Sequence, residues 1–234
     1  MLRKKAFCLL MTVNAFFGLM ACHAQRPAES AVQEQQDRSA SLGTSMQLKR
    51  IAEFNEPWAL SVLPDGRLLI TERSGQLILF NPVDQTKTLI RNIPKVAYGG
   101  QGGLGDIVLH PQFAQNHQIY LSYAEAGQDD YGAVVIRADL NLDQAQPQLD
   151  NLKMIWKQVP KVLGQGHYAH RMLFDGTGKF WISSGERQKF DPAQDLTSNL
   201  GKMIRLNDDG SVALDNPFQT QGDIAKQIWS LGHR

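Results

Sequence analysis

A short unit recurs along this chain: an apolar run, a polar turn and a second apolar run. The three copies occupy positions 59–71, 106–122 and 171–183. Leu68, Ile119 and Phe180 take equivalent places, which sets a period of about 50 to 60 residues. The apolar runs are shorter than the roughly ten residues that a helix of a solenoid needs. Short strands at this period predict an all-β propeller or another repeat array, with chance similarity of ordinary hairpins as the alternative.

Residues 1–21 indicate an export signal. They begin with the basic run MLRKK and continue with an apolar stretch that Thr12 and Asn14 interrupt. The stretch is shorter than the roughly 20 residues that a membrane-spanning helix needs, so we expect it to be cleaved. Cleavage also removes Cys8 and leaves no second cysteine for an internal disulfide.

The mature chain has two possible starts. LMAC, residues 19–22, resembles a bacterial lipobox, which predicts a lipid anchor on Cys22 and a periplasmic location. Cleavage after Ala24, before Gln25, is the alternative. The following residues 22–47 are rich in Gln, Ser and Ala and show no apolar periodicity, which predicts a polar tether to the folded part, residues 48–234.

Composition excludes one class of partner. The chain has 234 residues, is 42% hydrophobic and 20% charged, and carries a formal net charge of +1. These values are typical of a globular protein. Without the basic leader the net charge becomes slightly negative, and no row of basic residues remains that could bind a phosphate backbone. Nucleic acid is therefore not an expected partner.

The segment 164–187, GQGHYAHRMLFDGTGKFWISSGER, contains the main catalytic candidates. His167 lies in a glycine-rich approach to one apolar run, and Glu186 ends the next run. A hairpin at the DGTG turn would bring the two residues together. A carboxylate against one ring nitrogen fixes the tautomer of a histidine and stabilises its imidazolium, as a general base near neutral pH requires. The alternative is a surface histidine and an unrelated turn acid.

The segment 100–105, GQGGLG, matches a dinucleotide-binding fingerprint letter for letter. That fingerprint requires a helix directly after it, because the helix N-terminus binds the pyrophosphate. The following residues, DIVLHPQF, predict a strand instead. The glycines therefore indicate a tight turn or a close approach to a flat ligand. Gln101 is left to present an amide that can both donate and accept.

Taken together, these segments resemble the soluble, pyrroloquinoline quinone (PQQ)-dependent glucose/sorbosone dehydrogenases, and among them the periplasmic aldose sugar dehydrogenases. The resemblance covers nearly everything after the tether. The matching segments are EPWALSVLPDGRLLITERSGQL (56–77), GGQGGLGDIVLHPQF (99–113), GHYAHRM (166–172), SSGER (183–187), AQDLTSNLGKMIRLNDDGSVALDNPF (193–218) and IWSLGHR (228–234). Each segment alone would be weak, but the combination is specific.

The resemblance implies a six-bladed β-propeller that binds PQQ beside calcium at one end of its central channel, with an aldose stacked over the quinone. It implies that His167 is the catalytic base and Glu186 its acidic partner. It also implies that Gln101 is an active-site amide and that Arg234 contacts the quinone. The reaction would oxidise the anomeric hydroxyl to a lactone and pass the electrons to a periplasmic acceptor.

The resemblance has limits. Gly166 and Glu186 differ from the residues of some family members, which leaves the preferred sugar open. In the family, an Asn follows the G-H-R signature, and the calcium-binding carbonyls and the residues that hold the PQQ carboxylates come later. Arg234 ends this chain, so we expect residues 48–234 to be roughly the N-terminal half of the propeller. A non-catalytic propeller lipoprotein that binds a carbohydrate or a protein partner is the alternative function.

Other polar residues are interpreted as structural. His167 and His170 have an H-x-x-H spacing, but a strand would point them to opposite faces, which argues against a metal pair. Lys202, Arg205 and Asp208 alternate with apolar residues, which predicts a solvent-facing outer strand.

Overall fold

The computed structural model describes residues 48–234, and within them twelve strands form three four-stranded sheets. The first sheet contains β1 (Pro57–Val62), β2 (Leu68–Glu72), β3 (Gln76–Phe80) and β4 (Lys87–Leu89). The second contains β5 (Leu104–Leu109), β6 (Gln118–Ala126), β7 (Tyr131–Asn141) and β8 (Gln148–Lys157). The third contains β9 (Ala169–Phe174), β10 (Phe180–Ser184), β11 (Lys202–Leu206) and β12 (Ile228–Leu231). The all-β prediction is confirmed.

In every sheet the strands follow one another in chain order and pair antiparallel. The turn between β9 and β10 shows why the chain reverses there. Asp175 Oδ1 accepts hydrogen bonds from Thr177 N (2.8 Å) and Lys179 N (3.0 Å), which closes the DGTG turn. The predicted hairpin between His167 and Glu186 is therefore confirmed.

The sequence repeat corresponds to the sheets. Leu68, Ile119 and Phe180 lie at the start of the second strand of the first, second and third sheet. The strand predicted after the glycines of 100–105 is also confirmed, because β5 begins at Leu104. The longer turn of the middle copy contains one turn of α-helix, Phe113–Asn116, which the repeat pattern did not predict.

Two apolar cores hold the three sheets together. On β6, Ile119 and Leu121 pack toward the first sheet, whereas Tyr120 and Ala124 pack toward the third, and all four are fully buried. Burial of one Leu or Ile side chain contributes about 1.5–3 kcal/mol. Because successive side chains of a strand point to opposite faces, the second sheet is fixed from both sides.

The prediction of a solvent-facing strand at Lys202 and Arg205 is wrong. β11 lies between β10 and β12, Lys202 is fully buried and Arg205 is 7% exposed, whereas the side chain of Asp208 is half exposed. The Lys202 Nζ atom donates hydrogen bonds to the carbonyls of Pro192 (2.6 Å), Ala193 (3.0 Å) and Leu200 (2.7 Å). Burial lowers the pKa of the Lys202 ammonium to about 8. The lysine therefore ties the chain before β11 to the sheet.

The predicted signal peptide (1–21), the lipid site Cys22 and the polar tether (22–47) lie outside the described residues. Within residues 48–234, no helix is long and apolar enough to cross a membrane. The location of the protein therefore stays a prediction.

Candidate active site

The open end of the β9–β10 hairpin brings a histidine and a carboxylate into contact. His167 precedes β9 and Glu186 follows β10, and antiparallel pairing places these two ends side by side. His167 Nδ1 is hydrogen-bonded to Glu186 Oε1. The side chain of Glu186 is 4% exposed and that of His167 is 18% exposed. The carboxylate is thus shielded from water, while part of the ring remains accessible.

The second carboxylate oxygen of Glu186 is engaged as well. Glu186 Oε2 accepts hydrogen bonds from Lys189 N (2.6 Å) and Phe190 N (2.9 Å). Burial would raise the pKa of this carboxyl, but the backbone amides and His167 outweigh burial and lower the pKa to about 2. Glu186 is therefore an anion near neutral pH. In the neutral His167 ring the proton lies on Nδ1, which leaves Nε2 as an acceptor.

Gln101 connects the two glycine-rich segments, residues 99–105 and 164–166, through hydrogen bonds. His167 N donates a hydrogen bond to Gln101 Oε1 (2.7 Å), and Gln101 N donates to Gln165 O (2.8 Å). Gly100 makes this approach possible, because a Cβ atom there would lie 2.6 Å from Gln165 O and its φ is +53°. Among residues 48–234, Gln101 Nε2 has no hydrogen-bond partner. Its donors therefore remain available to a ligand.

Arg234 reaches the same place from the third sheet. Its Nη2 atom lies 3.4 Å from His167 Nε2, the nitrogen that Glu186 leaves unbound. Two backbone hydrogen bonds fix the preceding residues, from Gly232 N to Ala193 O (2.8 Å) and from His233 N to Gly201 O (3.1 Å). The structure thus brings the four predicted site residues together, and their catalytic and binding roles stay predictions.

The backbone around His167 is strained. Of the eleven non-glycine residues with positive φ in the described part of the chain, six lie between positions 167 and 190. His167 has a φ of +46°, Ala169 of +59° and His170 of +48°. Each such residue costs about 1–3 kcal/mol, and the conformation persists only where surrounding contacts hold it. Strain of this kind is typical of functional sites.

A cavity of about 400 Å³ opens beside Gln101, between Trp58, Arg73 and Tyr168. This volume is within the range of small-molecule sites, roughly 300–1,000 Å³. A larger cavity of about 680 Å³ is lined by the β1–β2 turn and the one-turn helix, and it contains none of the predicted site residues. Of the four predicted site residues, Gln101 lines the smaller cavity.

His170 forms a wall of this cavity. It is 2% exposed, its ring stacks on Trp58 with centroids 5.1 Å apart, and its Nδ1 atom lies 2.7 Å from Ser122 Oγ. Burial, assisted by Arg171 and Arg187, lowers the pKa of His170 to about 4. His170 is therefore a neutral packing residue.

The groups gathered around His167 suit a planar, oxygen-rich ligand such as PQQ. Arg234 offers a planar set of donors, Gln101 offers amide donors, and His167 Nε2 is an acceptor. Calcium has no assigned ligands here. Within residues 48–234, no group of three or more His, Cys, Asp or Glu side chains could hold a metal ion.

One residue next to the site was missed by the sequence reasoning. Arg187 directly follows Glu186 and is 1% exposed. A signal was present in the repeat, because Glu72 and Arg73 form a second Glu-Arg pair at the end of the second strand of the first sheet. When Leu68 and Phe180 are aligned, however, the two Glu-Arg pairs are offset by two residues, so a comparison position by position does not match them.

The fold and the site together define a class of protein. Three successive antiparallel meanders are packed face to face through two cores, with their first strands as neighbours, which is the arrangement of blades in a β-propeller. A histidine–carboxylate pair lies at one end of these blades. The chain belongs to the glucose/sorbosone dehydrogenase family, whose sequence profile matches residues 54–234. The predicted family is confirmed.

Individual relatives are consistent with this assignment. The aldose sugar dehydrogenase YliI of Escherichia coli (strain K12) is 36% identical over 183 residues, 78% of this chain and 49% of that protein. The crystal structure of the soluble aldose sugar dehydrogenase from Escherichia coli in the apo-form gives a TM-score of 0.73 and 38% identity, covering 77% of this chain and 52% of the other. The PQQ-bound aldose sugar dehydrogenase from Streptomyces coelicolor gives 0.71 and 29%, covering 81% and 54%. The chain spans about half the length of the curated relatives it matches.

Proposed function

We propose that the protein carrying this chain oxidises the anomeric hydroxyl of aldose sugars to lactones, with PQQ as electron acceptor and His167 as general base. The observation that carries the proposal is the position of the His167 ring, bonded to Glu186 through Nδ1 and facing Arg234 through Nε2, in a chain of this family. PQQ is included because a relative of the same fold binds it. Because the chain spans about half the length of its relatives, the activity is proposed for the whole protein.

His167 acts on the sugar through Nε2. Its Nδ1–H donates to Glu186, so Nε2 accepts the proton of the anomeric hydroxyl, and the Glu186 anion stabilises the imidazolium. The C1–H bond breaks with its electron pair leaving as hydride, and the oxygen electrons form the lactone carbonyl. PQQ supplies, when bound, the acceptor for the hydride.

Two residues orient the reactants. Gln101 donates from Nε2 to a sugar oxygen while its Oε1 stays bonded to His167 N. Arg234 presents its guanidinium to quinone oxygens beside the base. Calcium is proposed from the family resemblance, as a cation that makes the quinone more electrophilic.

The location belongs to the same proposal. The basic and apolar leader and the LMAC sequence support export to the periplasm and a lipid anchor on Cys22. The electrons would then pass to a periplasmic acceptor. The polar residues 22–47 would hold the folded part away from the membrane surface.

The experiment that tests the proposal is a dye-reduction assay on the full-length protein, purified without cofactor. With PQQ, calcium and glucose or another aldose, we expect dye reduction and an equal amount of lactone. Omission of PQQ should abolish both. If the protein is inert with every aldose but binds one in calorimetry, the non-catalytic carbohydrate-binding propeller replaces the dehydrogenase.

A further inference from the structure

Arg187 holds the backbone on both sides of His167. Its guanidinium donates hydrogen bonds to three carbonyls, those of Gly164 (2.5 Å), Gly166 (2.7 Å) and Tyr131 (2.7 Å). The guanidinium carbon also lies 3.7 Å from the centre of the Tyr168 ring. In addition, Arg187 N donates to His167 O (3.3 Å). Most of these contacts go to residues 164–168, the segment that carries the candidate base.

The guanidinium of Arg187 is satisfied by neutral groups, because its remaining hydrogen-bond partner is Gln158 Oε1 (3.5 Å). Among residues 48–234, no ion pair includes Arg187, although its side chain is 1% exposed. A buried charge is costly unless hydrogen bonds compensate it, and a side chain that only filled space would be apolar. The planar fork of arginine can reach several carbonyls at once, which a single ammonium group cannot do. These hydrogen bonds therefore indicate that the Arg187 guanidinium has a specific structural role.

The backbone conformation of residues 167–170 indicates what this structural role is. His167, Ala169 and His170 all have positive φ, which L-residues rarely adopt. Such a segment relaxes unless neighbouring groups hold it. Arg187 supplies those contacts at the two carbonyls that precede His167. Releasing them would let the ring turn away from Glu186.

Arg73 makes the corresponding contacts for Gln101. It follows Glu72 at the end of β2, as Arg187 follows Glu186 after β10. Its Nη2 atom donates to Gly100 O (2.5 Å) and Gly102 O (3.1 Å), the carbonyls on either side of Gln101. In both places, the arginine of a Glu-Arg pair donates hydrogen bonds to the carbonyls of a glycine-rich segment.

We propose that Arg187 and Arg73 are positioning residues that fix His167 and Gln101 relative to each other, through the carbonyls of the two glycine-rich segments. Both arginines act on backbone carbonyls, and Arg73 also lines the cavity beside Gln101. The inference rests on the proposed function for its catalytic part, but the geometry that it concerns can be measured without any cofactor.

The test compares Arg187→Lys and Arg73→Lys in the full-length protein, with Arg67→Lys as the matched control. Arg67 pairs with Asp65 in the β1–β2 turn and makes no contact with the site. Two measurements need no activity. Long-range ¹H–¹⁵N spectra of the histidine rings report the His167 tautomer, and hydrogen exchange reports the His167 amide that is bonded to Gln101.

For Arg187→Lys we expect a mixture of His167 tautomers and kcat for sugar oxidation reduced by roughly 10 to 10²-fold, with KM nearly unchanged. For Arg73→Lys we expect the His167 amide to exchange about tenfold faster, since its acceptor is no longer fixed. Arg67→Lys should match the wild type in every measurement.

If both site variants kept the wild-type His167 tautomer, amide exchange rate and kcat, the proposal would be overturned. A positive charge at each position would then be enough to hold the two glycine-rich segments. If Arg187→Lys does not fold, Arg73→Lys decides the outcome, since that side chain is 24% exposed and its loss is easier to tolerate. Unchanged amide exchange in Arg73→Lys would then refute the positioning role. A wild type without sugar oxidation would remove the proposed function and leave the spectroscopic result standing.

Discussion

The two ring nitrogens of His167 face different partners, because Nδ1 is bonded to Glu186 and Nε2 lies 3.4 Å from Arg234 Nη2. The carboxylate cannot turn away easily, since backbone amides hold its other oxygen. In the proposed reaction, proton transfer would therefore take place at Nε2, on the side of the ring where Arg234 lies. The following predictions depend on that geometry.

Replacing the base should remove turnover and spare the cofactor. In the full-length protein we expect His167→Ala to reduce kcat by ~10² to 10⁴-fold, the range for losing a general base. PQQ affinity, measured by fluorescence titration, should remain close to wild type. His117→Asn in the one-turn-helix region is the control, because asparagine tolerates the left-handed φ of +53° found there. Wild-type turnover by His167→Ala would disprove the mechanism.

Neutralising the acidic partner should do less harm. Glu186→Gln keeps an oxygen acceptor near His167 but loses the charge that favours the imidazolium. We expect a smaller loss of kcat than in His167→Ala when both variants are assayed side by side at neutral pH. A loss as large as that of His167→Ala would contradict this prediction.

Glu186 should also make stability depend on pH. Its folded pKa of about 2 is below the ordinary 4.5, so the unfolded chain takes up this proton first as the pH falls. The contribution is present above pH 4.5 and is lost between pH 4.5 and about 2. Urea midpoints of wild type and Glu186→Gln should therefore differ near neutral pH and converge in acid. A difference that persists unchanged at the lowest pH would contradict the assignment.

Arg234 should matter for cofactor affinity. We expect Arg234→Ala to weaken PQQ binding by about 10-fold or more, the usual effect of losing a charge-assisted hydrogen bond. At saturating PQQ, turnover should largely recover. Arg91→Ala, an exposed arginine of the first sheet region, is the control. Equal PQQ affinities in the two variants would exclude Arg234 from the quinone site.

The mature N-terminus should carry lipid. Mass spectrometry of the protein isolated from membranes should find acyl chains on Cys22, because LMAC ends a short apolar run. One chain gives marginal membrane affinity, so we expect more than one. An unmodified chain that starts at Gln25 would disprove the lipid anchor and favour ordinary secretion.

The sequence allowed the hairpins and the main site pair to be predicted, because both depend on local patterns. The repeat aligned Leu68, Ile119 and Phe180, which are the first or second residue of the second strand in their sheets. The DGTG turn placed His167 opposite Glu186. Such features need only the alternation of apolar residues and the turn preference of Asp and Gly.

The interior position of Lys202 could not be predicted in this way. Alternation reports that a strand has two different faces, but it does not report whether another strand lies beside it. The groups that make burial tolerable for Lys202 are backbone carbonyls, which every residue has. The contacts of Arg187 could not be predicted for the same reason, because their acceptors are also backbone carbonyls.

The hydrogen bond between His167 N and Gln101 Oε1 has a functional consequence. Gln101 belongs to the segment before the second blade and His167 to the segment before the third, so one hydrogen bond links two repeats of the chain. Under the proposed function, a substitution at Gln101 that altered sugar binding would also shift the backbone of the proposed base. Sugar preference and turnover would then change together at this position.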